Sequence, residues 1–345
     1  MKNKLLFIFI TITIFSCDKT TPELVYNKHI LPSKNKVIQR IAFGSGCKQN
    51  LYQGFWGKIS EEKPDLWIWG GDNIYSDTED RNILKLNYST LKKNSFYQNF
   101  IKTIPVIGIW DDHDYGARDS GNEYILKEES KEEFMNFFDI PQSSAIRNHK
   151  GIYTSYELGE SNKKIEFFML DNRTFKTELT LDNEHENWYI PDSTGTVLGQ
   201  EQWLWLENEI KNSDAKINIF VSGIQIIPDE HIFEKWGNFP NERKRFIDLL
   251  KSSKVKNPII LSGDRHFAEF SKIDFDDNLK VIEFTSSGMT HNYKGVEEKN
   301  IHRVGQLFDG KNFGVLEINW TDENSVVIDL IIYDINGEFI SKLKY

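Results

Sequence analysis

Leu66-Trp-Ile-Trp-Gly-Gly-Asp-Asn73 shows the pattern that decides the fold, because a short apolar run passes directly into glycine and polar residues. The same pattern occurs in Val106-Ile-Gly-Ile-Trp-Asp-Asp-His-Asp114 and in Ile259-Ile-Leu-Ser-Gly-Asp-Arg-His266. Short runs rich in Ile, Val and aromatic residues are typical of strands that are buried between layers. Because polar residues follow each run, we predict that they lie along one rim of the sheets.

Similar runs alternate with helix-like segments along the rest of the chain. Residues 37–43, 165–170 and 217–221 have strand character, and apolar residues at helical spacing mark 198–210 and 243–250. The alternation predicts an α/β protein, and the number of strands favours two sheets packed face to face with helices outside. We predict one domain over residues 37–345, since the sequence shows no internal repeat or second linker there.

The composition restricts the class of partner. The chain has 345 residues, 39% of them apolar, and a formal net charge of −10. This length and apolar content are sufficient for a large folded core. A negative surface repels polyanions, so we expect no specific nucleic-acid partner. We also expect a monomer. An anionic substrate must then be attracted locally, and bound cations are the obvious means.

The N-terminus has the form of a cleaved export signal over residues 1–16, with Lys2 and Lys4 before an apolar run too short to span a bilayer. Its ending, Ile14-Phe-Ser-Cys17, resembles the lipobox of bacterial lipoproteins, in which the cysteine is lipidated. The alternative is an ordinary signal peptide with a chance cysteine. The lipoprotein interpretation predicts a lipid on Cys17, a tether over residues 17–36, and attachment to a membrane of the bacterial cell envelope.

The chain contains two cysteines, Cys17 and Cys47. If Cys17 is lipidated, Cys47 has no partner within the chain. An unpaired thiol in an exported protein is open to oxidation unless it is buried or bound. Metal ligation would protect Cys47.

Four polar blocks occur in series: Gly46-Cys47, Gly71-Asp-Asn-Ile-Tyr75, Trp110-Asp-Asp-His-Asp114 and Gly263-Asp-Arg-His266. Their order resembles the PhoD-like alkaline phosphatase and phosphodiesterase family of the calcineurin-like metallophosphoesterase superfamily. The departures from the wider superfamily, such as Cys47 in the first block, are ones that PhoD-like enzymes share. The resemblance extends over nearly the whole chain from about Ile41. It implies a four-layer α/β/β/α sandwich of two mixed sheets flanked by helices.

The resemblance also implies a metal centre with one Fe3+ and two Ca2+ ions. The implied iron ligands are Cys47, Asp72, Tyr75 and His266; the implied calcium ligands are Asp112, Asp264 and the bridging Asp72, with Asp111 as a further candidate. Tyr75 lies three residues after Asp72, so one tight turn can direct a phenolate and a carboxylate at the same ion. Hard carboxylate ligands favour calcium over zinc.

His113 follows a metal ligand directly, so we predict that it lies beside the leaving group and donates a proton or a hydrogen bond while a metal-bound hydroxide attacks phosphorus. Arg265 and Lys48 are predicted to bind the substrate phosphate, with a structural salt bridge as the alternative for either. His291 lies in a family-like segment and is predicted to contact substrate. For Asp77 and Asp114, capping of turns is an open alternative to a role in the site.

The resulting prediction is metal-dependent hydrolysis of phosphate monoesters, diesters or both at the cell envelope. One alternative is a phospholipase C-like or nuclease activity that uses the same catalytic scheme. Another is a non-catalytic surface binding lipoprotein, suggested by the aromatic content and by Trp188-Tyr189. Such a protein would be expected to lose metal ligands, whereas every expected ligand type is present.

Overall fold

The computed structural model describes residues 27–184, 188–253, 255–275, 279–321 and 325–345. The predicted signal sequence, Cys17 and the first part of the predicted tether lie outside these residues. Within the described ranges, no helix combines the length and the apolar character needed to cross a membrane.

The described chain largely alternates strands and helices up to α7, as predicted, and strands alone follow α7 among the described residues. The strands are β1 (Arg40–Gly44), β2 (Leu66–Gly70), β3 (Val106–Ile109), β4 (Thr154–Leu158), β5 (Ile165–Met169), β6 (Ile217–Ser222), β7 (Pro258–Ser262), β8 (Ala268–Asp274), β9 (Lys280–Ser286), β10 (Arg303–Phe308), β11 (Asn312–Trp320), β12 (Val326–Asp334) and β13 (Phe339–Lys344). The helices are α1 (Phe55–Glu61), α2 (Arg81–Lys93), α3 (Ser95–Ile101), α4 (Asp112–Tyr115), α5 (Lys127–Phe137), α6 (Gly199–Asn212) and α7 (Pro240–Ser252). Two short 3-10 turns, Ala145–Asn148 and Trp236–Asn238, complete the set described.

The strands form two mixed sheets. The first has the order β13-β12-β11-β1-β2-β3, and the second has the order β10-β8-β9-β7-β6-β5-β4. In the first sheet, parallel pairs form between β1 and β2 and between β2 and β3. In the second sheet, parallel pairs join β5, β6, β7 and β9 in that order. The C-terminal strands β11, β12 and β13 join the first sheet by antiparallel pairing.

The two sheets pack face to face through aromatic side chains. The rings of Phe43 in β1 and Phe284 in β9 meet edge to face, with centroids 4.8 Å apart. Gly314 in β11 leaves room for this contact, because a Cβ there would lie 2.2 Å from the Phe43 ring and 2.8 Å from the Phe284 ring. A side chain at position 314 would therefore force the sheets apart.

Helices cover the outer face of each sheet. Trp56 of α1 packs on Trp67 and Trp69 of β2, at centroid distances of 5.1 and 5.3 Å. On the second sheet, Phe246 of α7 packs edge to face on Phe220 of β6 at 5.4 Å. Full burial of a large apolar side chain contributes about 1.5–3 kcal/mol. These contacts produce four layers, and the predicted α/β/β/α sandwich is confirmed.

Part of the predicted tether contacts the domain. The Asn27 backbone N–H donates to Oε1 of Gln98 at 2.6 Å, and the Val106 N–H donates to the carbonyl of Ile30 at 3.1 Å. His29 is buried, with its Nε2 atom 2.6 Å from the Tyr97 hydroxyl. From Asn27 onward, therefore, the segment is held against the first sheet.

Candidate metal centre and substrate pocket

The turn after β2 presents Asp72 at the rim of the first sheet. Asp72 has left-handed backbone geometry, with a φ of 49°, and the preceding Gly71 has a φ of 92°. A Cβ at Gly71 would lie 2.6 Å from the Cβ of Asp111, so the close approach of the two strand ends requires glycine. The Tyr75 hydroxyl donates to Oδ2 of Asp72 at 3.0 Å. The predicted pairing of phenol and carboxylate is thus present in the geometry.

The turn after β3 brings a second carboxylate to the same place. Asp112 begins α4, and its Oδ2 accepts a hydrogen bond from the Asp119 backbone N–H at 2.8 Å. Asp72, Asp112 and His113 each offer a ligand atom, and these three atoms lie within 4.8 Å of one another. Two carboxylates and an imidazole from adjacent strand ends therefore converge on one point.

Asp114 holds the two turns together. Its Oδ1 accepts from the Asp111 backbone N–H at 2.6 Å, and its Oδ2 accepts from the Asn73 side-chain amide at 2.5 Å. Asn73 also donates to the carbonyl of Ile109 at 2.9 Å. Asp114 thus caps the turn, one of the two roles that the sequence left open, and fixes the spacing between Asp72 and Asp112.

His113 lies at the edge of this cluster. Its Nδ1 is 2.7 Å from Oδ1 of Asp77, and its ring stacks at a tilt on Tyr75 with centroids 4.2 Å apart. Burial alone would lower the pKa of His113, but the carboxylates of Asp112, Asp72 and Asp77 raise it to about 11. The imidazole is therefore held as a protonated donor beside the two predicted ligands.

The loop after β7 completes the site from the second sheet. Asp264 and His266 both have left-handed backbone geometry, with φ values of 63° and 57°. His266 Nε2 lies 3.4 Å from the Tyr75 hydroxyl, which places it at the Asp72 cluster. Burial raises the pKa of Asp264 to about 6, with Arg265 opposing the rise and Asp112 adding to it. The predicted rim thus draws side chains from both sheets.

Arg265 is held by carboxylates and an aromatic ring. It pairs with Glu298 through a short contact and with Asp264 at 3.5 Å, and its guanidinium lies 4.5 Å from the centroid of Phe233. Its Nε atom is buried without a partner among the described residues. The predicted phosphate-binding role and the salt-bridge alternative therefore both have a physical basis in this geometry.

Cys47 is fully buried in the core beneath the site. Its backbone N–H donates to the carbonyl of Asp72 at 2.9 Å, which ties the first polar block to the second. Burial raises the pKa of the thiol, so the sulfur is neutral in the absence of a nearby cation. The cluster of Asp72, Asp112 and His113 does not include it.

Lys48 and His291 line the same pocket. The Lys48 ammonium lies 5.2 Å from the centroid of Tyr75, and the Lys48 backbone N–H donates to the Thr290 hydroxyl at 2.8 Å. The rings of His291 and His266 lie 4.3 Å apart. Burial, with neighbouring cationic groups, lowers the pKa of His291 to about 3. His291 therefore acts as a neutral hydrogen-bonding group next to a lysine.

Asp111 belongs to a buried ion network that the sequence did not predict. Arg173 Nε donates to Oδ1 of Asp111 at 2.6 Å, and the same guanidinium donates to both carboxylate oxygens of Glu234 at 3.0 and 2.7 Å. Lys176 lies 2.9 Å from Glu234 and donates to the Asp119 carbonyl at 2.9 Å. One oxygen of Asp111, the extra calcium ligand suggested earlier, is thus engaged by arginine, and its other oxygen is buried without a described partner.

These residues surround a pocket of about 540 Å3. Asp112, His113, Asp264 and His266 line it on the side of the cluster. Arg118, Trp188, Phe233 and Tyr293 line it elsewhere. The volume is within the range typical of small-molecule sites, and its polar groups converge from several strand ends.

Residues 41–329 match the sequence model of a family described as PhoD-like phosphatase. The chain belongs to this family. The predicted resemblance is therefore confirmed. The PhoD-like chain is also 22% identical over 320 residues to alkaline phosphatase D of Bacillus subtilis (strain 168), in an alignment covering 78% of this chain and 54% of that relative. It spans about half the length of the curated relative that it matches.

Solved structures share the PhoD-like fold. A structure of PhoD has a TM-score of 0.69 and 18% identity, covering 91% of this chain and 73% of that chain. A purple acid phosphatase from yellow lupin seeds has a TM-score of 0.60 and 15% identity, covering 91% and 54% of the two chains. A dimetal phosphatase from Danio rerio has a TM-score of 0.52 and 10% identity, covering 90% and 99%. At these identities the likeness concerns the fold alone.

The donor set of this PhoD-like site fits metal ions. Asp72 Oδ1 and Asp112 Oδ1 are buried and have no hydrogen-bond partner among the described residues. Burial raises the pKa of Asp72, and the neighbouring carboxylates add to the rise while His113 opposes it. Buried carboxylate oxygens without donors are costly unless a cation balances them. The residues present therefore suit one or more bound cations.

Proposed function

We propose that this chain hydrolyses phosphate esters with bound metal ions. The observation that carries the proposal is the pair of buried, unpartnered carboxylate oxygens on Asp72 and on Asp112, which lines a pocket of about 540 Å3. An imidazole and a lysine line the same pocket, so ligands for cations and donors for phosphate lie together. Family membership supports the same reaction class.

The groups that would hold the metal ions are Asp72, Tyr75, Asp112, Asp264 and His266. Bound cations would polarise the phosphoryl oxygens and lower the pKa of coordinated water. Tyr75 and His266 approach each other to 3.4 Å, and Tyr75 donates to Asp72 at 3.0 Å, so the chain pre-positions nitrogen and oxygen donors before any ion enters. Because these side chains are already in place, binding of the metal ions costs less conformational entropy.

The other pocket residues would bind substrate and manage its proton. His113 is oriented by Asp77, whose carboxylate favours the protonated imidazole, so it can donate a proton to the departing alkoxide. Lys48, which extends over the Tyr75 ring, would contact a phosphoryl oxygen, and neutral His291 would donate a hydrogen bond from the same side. The Arg265 guanidinium would also contact the phosphate, in place of its salt bridge with Glu298.

A finer part of the proposal concerns which ions bind. We infer one Fe3+ and two Ca2+, with Cys47, Tyr75 and His266 on the iron and the carboxylates shared with calcium. Phenolate and thiolate suit the more polarising ion, and carboxylate oxygens suit calcium. The backbone hydrogen bond between Cys47 and Asp72 supports the inclusion of Cys47.

The cellular setting belongs to the proposal as well. We infer a monomeric lipoprotein that is anchored through Cys17 and faces phosphate esters at the bacterial cell envelope. The lipobox-like ending at Cys17 and the export-signal pattern of residues 1–16 support it. Incorporation of labelled fatty acid into the wild type and not into Cys17→Ala is the expected result, and an unlabelled wild type would exclude the anchor.

The test of the function combines metal analysis with turnover. The purified chain should contain iron and calcium, and it should hydrolyse p-nitrophenyl phosphate, bis-p-nitrophenyl phosphate or both, with loss of turnover in chelator and recovery on adding metal. The preferred ester then decides between monoesterase and diesterase. A folded chain that binds no metal and cleaves neither ester after reconstitution would overturn the proposal.

A further inference from the structure

The part of the pocket beyond the predicted metal ligands contains three large aromatic side chains among mostly charged ones. Trp188, Phe233 and Tyr293 line it together with the Arg118 guanidinium. Trp188 and Tyr293 retain 36% and 62% of their accessible surface, although large aromatic side chains are usually buried. Their exposure into the cavity shows that part of the aromatic surface is available to a ligand.

Backbone and ring contacts hold these aromatic groups in place. Trp188 donates its backbone N–H to the carbonyl of Ile232 at 3.2 Å, and its ring meets Phe233 edge to face at 4.7 Å. The Arg118 guanidinium lies 4.9 Å from the centroid of the Trp188 ring. The aromatic wall is therefore assembled from three separate loops and is built before a ligand arrives.

The other aromatic group is anchored in a similar way. The Tyr293 ring lies edge to face with His266 at 5.0 Å, directly beside the predicted metal ligands. The loop that carries it is fixed to Asp309, which accepts hydrogen bonds from the Asn292 amide at 2.5 Å and from the Gly295 N–H at 2.7 Å. A group stacked on Tyr293 would thus be joined to a phosphate in the cluster by a short linker.

We propose that this wall is a subsite for a planar aromatic group in the substrate, so that the preferred substrates are phosphate esters of nucleoside type. The inference rests on the proposed function, since it names the ester that the site accepts. Nucleic-acid bases stack on aromatic rings and on the planes of arginine guanidinium groups. This stacking does not depend on which hydrogen-bond donors and acceptors the base carries. Arg118 provides such a plane at the rim of the pocket.

The lining favours an aromatic group over a hydrocarbon chain. Among the described residues that line the pocket, Val296 is the sole aliphatic one, and the remainder are aromatic or polar. An acyl or alkyl chain would need a longer aliphatic surface to be removed from water. Charged neighbours such as Asp119 and Glu298 would remain hydrated beside such a chain.

The test uses two substrates that both release the primary 5′-hydroxyl of a ribose. Adenosine 5′-monophosphate and ribose 5-phosphate differ only in the base, so the ratio of their kcat/KM values isolates the subsite. We expect the wild type to favour the nucleotide by about tenfold, the size of one base–aromatic stack. Trp188→Leu and Tyr293→Leu should reduce this ratio toward one.

Phe96→Leu is the matched control, because Phe96 is an exposed aromatic residue that packs on Tyr52 outside the pocket. It should retain the full ratio. Equal kcat/KM values for the two substrates in the wild type would overturn the proposal. Octyl phosphate and glycerol phosphate provide a second comparison. If the ratio of their kcat/KM values is as large as the ratio for the nucleotide and ribose 5-phosphate, the subsite accepts any apolar group, and the proposal is overturned.

Calorimetry separates failure of this inference from failure of the proposed function. Adenosine and ribose carry no phosphate, so their binding to the full chain does not depend on turnover. Adenosine should bind measurably more tightly than ribose, and each leucine variant should weaken adenosine binding by about fivefold to tenfold. A chain that hydrolyses no ester but binds adenosine retains the subsite; one that hydrolyses esters but does not bind adenosine lacks it.

Discussion

The Nδ1 atom of His113 lies 2.7 Å from Oδ1 of Asp77, so an exposed carboxylate orients the imidazole that faces the metal cluster. Asp77→Asn keeps the shape of this contact and removes its charge. With metal ions offsetting Asp72 and Asp112, the imidazolium should then lose its proton at a lower pH. We expect the alkaline limb of the kcat profile to move to lower pH, measured with ribose 5-phosphate over a buffer series. His113→Asn should remove that limb, and an unmoved limb in Asp77→Asn would exclude His113 as the proton donor.

Asp72→Asn should separate the metal role of this carboxylate from its structural effect. Metal content should fall, and kcat/KM should fall on the order of 1000-fold, because a bound metal supplies several kcal/mol of transition-state stabilisation. In chelator, the variant should unfold at higher urea than the wild type, since burial disfavours the Asp72 charge. With metal present the order should reverse. Glu61→Gln, an exposed position paired with Lys58, should change neither quantity.

Cys47→Ser tests the thiolate ligand. If the sulfur binds iron, the variant should lose iron and its visible absorption band should shift, because the softer donor is gone. Calcium content should remain. Unchanged iron and an unchanged spectrum, together with lower stability, would instead restrict Cys47 to packing in the core.

Arg173→Met should be strongly destabilising. It leaves Asp111 and Glu234 as buried carboxylates without their shared guanidinium, and breaking a buried ion network in this way costs about 3–5 kcal/mol. Arg245→Met removes a half-exposed guanidinium that pairs with Glu207 at 2.7 Å, and it should cost about 1 kcal/mol or less. Urea unfolding at neutral pH measures both. Equal losses would mean that the buried network contributes no more than a surface pair.

His29 should make stability depend on pH. Burial lowers its pKa to about 4 from the ordinary 6.5, so the folded chain binds fewer protons than the unfolded chain between these values. The contribution of His29 to the free energy of unfolding is therefore fully present above pH 6.5. It falls by about 3 kcal/mol as the pH drops to 4. His29→Gln should flatten the stability curve in that window, and His149→Gln should not. A curve of unchanged slope in His29→Gln would place the acid sensitivity elsewhere.

Strands β2 and β3 could be predicted from the sequence because both of their faces are largely buried. The runs at 66–69 and 106–109 are continuously apolar, and β2 and β3 occupy those positions. The strands β11 to β13 escaped prediction because they mix buried and half-exposed residues, and β11 pairs with β1, which is distant in the sequence. Helices α6 and α7 lie within one to three residues of their predicted limits, since their apolar stripes are regular.

The rim residues could likewise be predicted, because each follows a strand and parallel strands end at a common edge. The buried ion pairs that hold the rim residues in place could not be predicted. Arg173 follows β5 as part of a visible polar cluster, yet nothing local shows that it pairs with Glu234, 61 residues later. The exposure of Trp188 into the pocket also depends on the positions of loops that no periodic pattern describes.

The predicted ligands come from both sheets, with Asp72 and Asp112 on one and Asp264 and His266 on the other. A cation held by both groups would add a link between two layers that are also joined by apolar contacts such as Phe43 on Phe284 and by the buried Arg173–Asp111 ion pair. Metal should therefore raise the melting temperature in proportion to the logarithm of its concentration. Slippage of the layers by an ångström or two would disperse the ligands while each sheet stayed intact, so heat should abolish turnover before it unfolds the chain.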